Sequence, residues 1–535
     1  MAVGDSPIGA PAARAAAVGG LGRLGGWGLP LGLALALSVL SLVPYLYAFN
    51  FPPHDRVFMG FFFLGDDANT YLAKMRQGWE GNWIWVNRYT AETGPGAYFF
   101  VFWILLGKLS ALFRLPLLFT FHLFRVLGAF ALLGWGWVFI KHFVADPTAR
   151  RFGIVLLSLG LGLGYVIGLL GHPVVFGQQT DILDLRMPEL SAWYSILALP
   201  HFVWAAAFQA IACVLTLKAA ERGSLRLGAL AGLAWLGEST IHAQMPLLLG
   251  AATAIALLVR PVSPRGYAAA ALAFAIAGPY VAYSYYESLV SPEVLRWSAQ
   301  WRNNLPPDGL SLGLALAPTL VLALLALPGV WRRRSRGDIF LVSWLLLLVY
   351  ILWFPNPAGN LRRRFFDGVF LPLACLAALG MYEQMVPRLR SLRLKRLVPF
   401  AFVAVTTIGS VFLLVSPMVY AANPQYSITR GEYQGLQWLG GEPAGVVLSS
   451  ARMGLYVPAY SPDTVYVGQY SETYNYFDKA KRAKRLLNGT EDAGSFASGA
   501  GMRYVFWSDE FGPTEPSGLG APAFTAPGVK IWKLR

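Results

Sequence analysis

Long apolar segments punctuated by short basic clusters constrain this chain more than any other feature. About eleven stretches are apolar enough to lie in a bilayer, roughly 27–49, 117–139, 152–171, 193–217, 227–243, 245–259, 267–286, 310–330, 338–354, 366–386 and 397–420. A chain of 535 residues that is 56% hydrophobic and 13% charged cannot hide that much apolar surface in a water-soluble core. The pattern therefore predicts an α-helical polytopic membrane protein. Cys213 and Cys375 both lie inside apolar stretches and form neither a disulfide framework nor a metal motif.

The charges give an orientation. The net charge of +15 is held in clusters between spans, which is the positive-inside pattern and not a nucleic-acid face. With the N-terminus inside, the clusters after Lys141, Lys218, Arg260, Arg332 and Arg388 gather seventeen basic residues on the cytoplasmic side. The opposite loops 172–192 and 287–309 hold only Arg186, Arg296 and Arg302. This count supports reading the apolar piece 98–113, interrupted by Lys108, as lying in the interface or dipping in part way without crossing. Three regions follow: a disordered cytoplasmic lead over 1–26, a membrane region over 27–420 with a first outer loop at 50–97, and an extracytoplasmic tail over 421–535. The tail alternates β-type runs ("GVVLSS", "TVYVG", "RYVFW", "VKIWKL") with the helical candidate "YFDKAKRAKRLLN", so a small α/β domain is expected there.

Four groups of residues carry potential chemistry. Asp66 and Asp67 open "DDANTYLAKMRQGW", in which Tyr71, Met75 and Trp79 recur every four residues, the stripe of a helix lying on the membrane surface. One acid can serve as a helix cap; the second then faces something else near the bilayer, where poor solvation makes a carboxylate a better base. Arg362, Arg363 and Arg364 fall on the outer side, against the charge rule, and form either a phosphate clamp or a snorkelling anchor for head groups. His201, Glu238 and His242 are ionisable groups within spans. Glu238 and His242 share a helical face, as a mutually satisfied pair or as half of a metal site whose other ligands the sequence does not reveal. Trp297 and Trp301 stack on a sugar or anchor at the interface.

"DDANTY", followed by "GNW", resembles the Asp–(Glu/Asp)…Tyr…Gly–(Asp/Asn)–Trp pattern of the GT-C membrane glycosyltransferases, among them the protein O-mannosyltransferases, the aminoarabinose transferase acting on lipid A, and oligosaccharyltransferase. The long first outer loop, the apolar "GAYFFVFWILLGKLSALF" before the second span and the small outer C-terminal domain are similar in layout. Most such enzymes have Asp-Glu where this chain has Asp-Asp. Spacing to Tyr71 favours Asp67 as the counterpart of the family's catalytic Asp, and order within the pair favours Asp66.

The resemblance implies an inverting transferase of the cell membrane. It would move a sugar from a polyprenyl-phosphate donor to a hydroxyl on a glycan, lipid or protein acceptor. Asp67 or Asp66 would accept the hydroxyl proton and Arg362–Arg364 would hold the phosphate, with Tyr71, His201, Glu238 and His242 as possible pocket residues. A divalent cation (Mg or Mn) bound by the Asp, with Glu or His, would be needed for a diphosphate donor. No nucleic-acid partner is expected. The alternatives are a lipid-linked glycan transporter or flippase, which would place its site at the midplane between internal repeats, and a glycan polymerase or ligase.

Overall fold

A computed structural model describes residues 26–92, 94–299, 306–355 and 359–534. The expected N-terminal lead and Trp301 fall outside the described residues. Among the described residues, seven helices are long and apolar enough to cross a membrane: α1 (Gly28–Asn50), α4 (Leu117–Phe143), α6 (Pro200–Arg222), α9 (Pro264–Val290), α12 (Arg336–Trp353), α13 (Phe370–Arg388) and α14 (Leu392–Val419). An eighth span is counted if α10 (Gly309–Leu316) and α11 (Thr319–Arg333), bent by 84° at their junction, are taken as one. The protein is thus a multi-pass membrane protein. The bundle turns lipid-type surface outward, with Leu35, Leu46, Phe400 and Phe412 exposed.

The three other apolar stretches are helical but do not combine the length and apolarity of those seven. Residues 152–171 break after α5 (Pro147–Leu159), and 227–243 and 245–259 become α7 (Leu225–His242) and α8 (Met245–Val259). Thirteen-residue α3 (Val101–Phe113) covers the stretch expected in the interface. At 1.5 Å per residue it spans about 20 Å, less than a hydrocarbon core of about 30 Å.

Ionisable residues inside spans escaped the sequence reading, among them His122 and Arg125 on α4. Arg125, on α4, is fully buried. Its guanidinium donates to the Ile196 carbonyl at 2.7 Å and the Ser41 carbonyl at 3.3 Å and lies over the Tyr45 ring. Carbonyl acceptors from two other segments replace its water, which makes a buried guanidinium tolerable.

The loop after α1 folds back under the tail. Strand β1 (Arg56–Phe58) pairs antiparallel with β2 (Ser427–Thr429), Val57 opposite Ile428. Helix α2 (Gly65–Trp79) lies against α3, and two glycines set how closely: a Cβ on Gly78 would meet the Ile104 carbonyl oxygen at 2.1 Å, and one on Gly107 the Met75 carbonyl oxygen at 1.8 Å.

Helices α15 (Arg430–Gly441), α16 (Ala451–Tyr460) and α17 (Tyr476–Leu487) flank a five-stranded mixed sheet. Its strands are β3 (Val446–Leu448), β4 (Thr464–Val465), β5 (Tyr504–Ser508), β6 (Phe524–Ala526) and β7 (Val529–Lys533), in the order β4-β3-β5-β7-β6. The β3 strand runs parallel to both neighbours, and β7 is antiparallel to β5 and β6.

The helix ends sort by charge. The Arg336 guanidinium meets Glu221 at 3.2 Å, and Arg260 donates to the Arg334 carbonyl at 2.8 Å, so the ends of α6 and α11 and the start of α12 gather three basic clusters. His201, His242 and Arg364 sit at or beyond the opposite ends of α6, α7 and α12.

Candidate active site

The acids do not cap α2. The helix begins at Gly65, its cap residue is Leu64 in a left-handed conformation (φ 49°, ψ 44°), and Asp66 and Asp67 both fall in the first turn. There the helix N-terminus favours negative charge, and neither acid is committed to the cap. Their environments differ. Asp66 is exposed, and partial burial of its carboxyl raises its pKa. Asp67 is pushed up to about 6, first by burial; the Arg364 and Lys74 charges pull it down and those of Asp66 and Glu472 push it up.

Asp67 stands between two cavities. One, of about 220 Å³, is lined by Asp67, Tyr71, Lys74, Trp103, His201, His242, Arg364 and Glu472, with further apolar walls from Phe99, Phe100, Leu247 and Tyr280. The other, of about 330 Å³, is lined by Asp66, Asp67, Asn69, Gln425, Tyr426, Tyr456 and Tyr470. A larger cavity, about 920 Å³, lies on the other side of α2 among Arg56, Arg76, Arg114 and Arg430, and neither acid lines it.

Within the first cavity Tyr71 stacks on Trp103 (ring centroids 4.3 Å apart, planes 12° apart) and sits 4.8 Å from the His201 ring. Burial raises the Tyr71 pKa, which keeps the phenol protonated and a donor. Met75, one turn on, is fully buried, whereas Trp79 is exposed and lines the large cavity.

The structure brings Asp67, Tyr71, His201, His242, Trp297 and Arg364 to one cavity and leaves Asp66, Glu238, Arg362 and Arg363 outside its walls. Arg362, Arg363 and Arg364 belong to a 3-10 turn, Gly359–Phe366. Of the three, only Arg364 lines the cavity. Arg363 and Arg364 both act electrostatically on Tyr470, across the second cavity, and the Arg362 Nε is buried without a hydrogen-bond acceptor.

Glu238 lies behind the cavity. It and His242 are not each other's partners: Glu238 accepts from Gln209 Nε2 at 2.9 Å, and His242 Nδ1 faces Asp367 Oδ2 at 3.2 Å. Among the described residues, the one group of three acidic, His or Cys ligand atoms close enough for a metal is Glu238, His242 and Asp367; Asp67 is not in it.

Sequence reasoning missed Lys74, Glu472, Gln209 and Asp367. Lys74 stands two turns after Asp67 on the same helix face, a spacing that could have raised it. Glu472 comes from the Tyr- and Ser-rich tail. It pairs with Lys74 while its backbone carbonyl accepts from Asn87 Nδ2 at 2.8 Å, tying tail, first loop and α2 together. Glu189 is buried, and its charge reaches both Tyr71 and Asp367.

These features define a polytopic membrane protein with a half-buried acid and a cationic side chain in one partly apolar cavity at one end of its helices. Its fold is similar to that of an archaeal oligosaccharyltransferase. No family model matches the chain, and no curated protein matches it. Among solved structures it is similar to the oligosaccharyltransferase AglB of Archaeoglobus fulgidus in complex with an inhibitory peptide and a dolichol-phosphate (13% identity, TM-score 0.54, covering 90% of this chain and 69% of that one). It is likewise similar to the Archaeoglobus fulgidus oligosaccharyltransferase tethered with an acceptor peptide (14%, 0.53, 90% and 69%) and in complex with Zn and sulfate (13%, 0.54, 89% and 68%).

Proposed function

We propose that the protein is a membrane glycosyltransferase that moves a sugar from a polyprenyl-phosphate donor to a hydroxyl acceptor on the extracytoplasmic face of the cell membrane, with its N-terminus cytoplasmic. The observation that carries this reading is the shared cavity of Asp67 and Arg364. The fold adds support, since the archaeal oligosaccharyltransferase of the same fold holds a dolichol-phosphate and an inhibitory peptide. The basic clusters at the far ends of the helices support the orientation.

In this reading the donor head group occupies the cavity with the apolar and aromatic walls, and the acceptor enters through the cavity with Asp66 and Tyr470. Asp67, common to both, takes the proton of the acceptor hydroxyl as its oxygen attacks the anomeric carbon. The bond from that carbon to the phosphate oxygen breaks, and the electron pair leaves with the phosphate, whose growing charge Arg364 and Lys74 stabilise. A single displacement of this kind inverts the anomeric centre. A divalent cation would supply further charge neutralisation to a diphosphate leaving group. Here two fixed cations supply it, which favours a monophosphate donor.

The test is turnover of a panel of polyprenyl-monophosphate sugars by the purified protein in nanodiscs, followed by release of polyprenyl phosphate. Wild-type release that Asp67→Asn abolishes supports the reading. Undiminished release by the Asp67→Asn variant ends it, as does flux of intact donor across the bilayer without cleavage.

A further inference from the structure

Behind the wall formed by His242 lies a second cluster that the transfer reaction does not use. It joins three parts of the fold: Gln209 on α6, Glu238 and His242 on α7, and Asp367 three residues beyond Arg364. Glu238 and Asp367 are 0% exposed and His242 is 7% exposed. One ligand atom from each of the three lies within 4.8 Å of the others. Ligand atoms around one first-row ion stand about 3–4 Å apart when each bond is about 2.1 Å, so small side-chain rotations close the set on a common centre.

Two observations point to an occupant. First, Glu238 Oε2 and Asp367 Oδ1 are both buried without a hydrogen-bond partner. Both carboxylates spend their other oxygen on one neutral amide, Gln209 Nε2, at 2.9 and 3.0 Å. Two acids so placed lack positive charge unless His242 is protonated, and even then one negative charge is left over. Second, His201 is buried with neither ring nitrogen hydrogen-bonded, 5.7 Å from the His242 ring between centroids. Gln209 can complete the set. Its Oε1 rests against Gly368, which has φ +76° and where a Cβ would intrude to 2.1 Å. A half-turn of the amide exchanges that oxygen with Nε2 and delivers a fourth, neutral oxygen.

We propose that Glu238, His242 and Asp367, with Gln209, bind one divalent first-row transition ion of the Mn2+ or Zn2+ class. A nitrogen and carboxylate donor set with no sulfur suits these ions, and the imidazole argues against Mg2+ and Ca2+. The ion ties the turn that carries Arg364 to α6 and α7, so its role is to hold the cationic wall of the cavity in place. The site stands on its own residues and is read without any assay of sugar transfer.

The experiment uses the purified full-length protein, stripped with a chelator and dialysed against Mn2+ or Zn2+. Elemental analysis after desalting is expected to give about one ion per chain, with a higher unfolding temperature than the stripped form. The isosteric changes Glu238→Gln and Asp367→Asn are each expected to weaken retention by about tenfold or more, and Asp67→Asn to leave it unchanged. Should either isostere fail to fold, pulsed EPR of the wild-type Mn2+ form decides: coupling to a histidine nitrogen is expected. Absence of a retained ion together with an unchanged unfolding temperature overturns the proposal and assigns a shared proton to the two carboxylates. An ion held equally well by both isosteres, or one without histidine coupling, overturns it as well.

Discussion

Lys74 and Glu472, 398 positions apart, meet at 2.7 Å with their side chains only 3% and 5% exposed. The ammonium also lies 4.3 Å from the centre of the Phe100 ring. This pair fixes the tail against the helix that carries Asp67 and places a cation beside that acid.

Breaking the pair from one side leaves a buried charge without its counter-ion, which typically costs about 3–5 kcal/mol. Glu472→Ala is therefore expected to lower the unfolding temperature clearly. It should also make the tail more open to limited proteolysis, because Glu472 joins it to α2.

Asp67→Asn separates stability from activity. The folded-state pKa of about 6 lies above the ordinary value of 3.8, so the native protein binds this proton more tightly than the unfolded chain does. The stability contribution from Asp67 is fully present below pH ~4 and is lost as pH rises through ~6. At neutral pH the neutral isostere removes that cost. Thermal unfolding at pH 7.5 is expected to show a Tm no lower than wild type, while sugar transfer falls by about 10²–10⁴-fold. Asp66→Asn, at the exposed acid, is expected to lose far less activity.

The pH profile follows from the same group. A base must be deprotonated, so kcat/KM is expected to fall about tenfold per unit below pH ~6 and to level off above it. The Arg364 charge lowers the proton affinity of Asp67, so Arg364→Gln should move this acid limb upward in pH. A limb that stays in place in that variant would show that the two groups do not interact.

The close crossing of α2 and α3 is expected to tolerate no side chain. Gly107→Val places a Cβ 1.8 Å from a backbone oxygen, which no rotamer relieves. The cost should exceed the about 1–3 kcal/mol of ordinary overpacking, with loss of the monodisperse peak in size-exclusion chromatography.

The sequence made the bundle legible because hydropathy is local: each of the seven long helices coincides with an apolar stretch. The number of crossings was less so, since a run of apolar residues does not reveal a bend such as that between Leu316 and Thr319, or a break such as that after Leu159. Asp67 and the arginine run stood out because charge is rare in such a chain. Their companions did not. Glu472 reaches the site only through the pairing of tail and first loop, and nothing in one sequence encodes that distance. Asp367 follows the arginines so closely that it passed as part of their turn, and Gln209 looked like an ordinary residue in an apolar helix. Arg125 was overlooked within its span because its carbonyl partners come from α1 and from the segment before α6.

The most direct test is steady-state kinetics of Asp67→Asn and Arg364→Gln with a polyprenyl-phosphate sugar, combined with the affinity of each variant for the released polyprenyl phosphate. If a proton acceptor and a phosphate clamp share one cavity, Asp67→Asn loses kcat yet keeps the product affinity of the wild type, and Arg364→Gln weakens both product binding and kcat/KM. Wild-type kcat in the first variant, or wild-type product affinity in the second, would contradict the account.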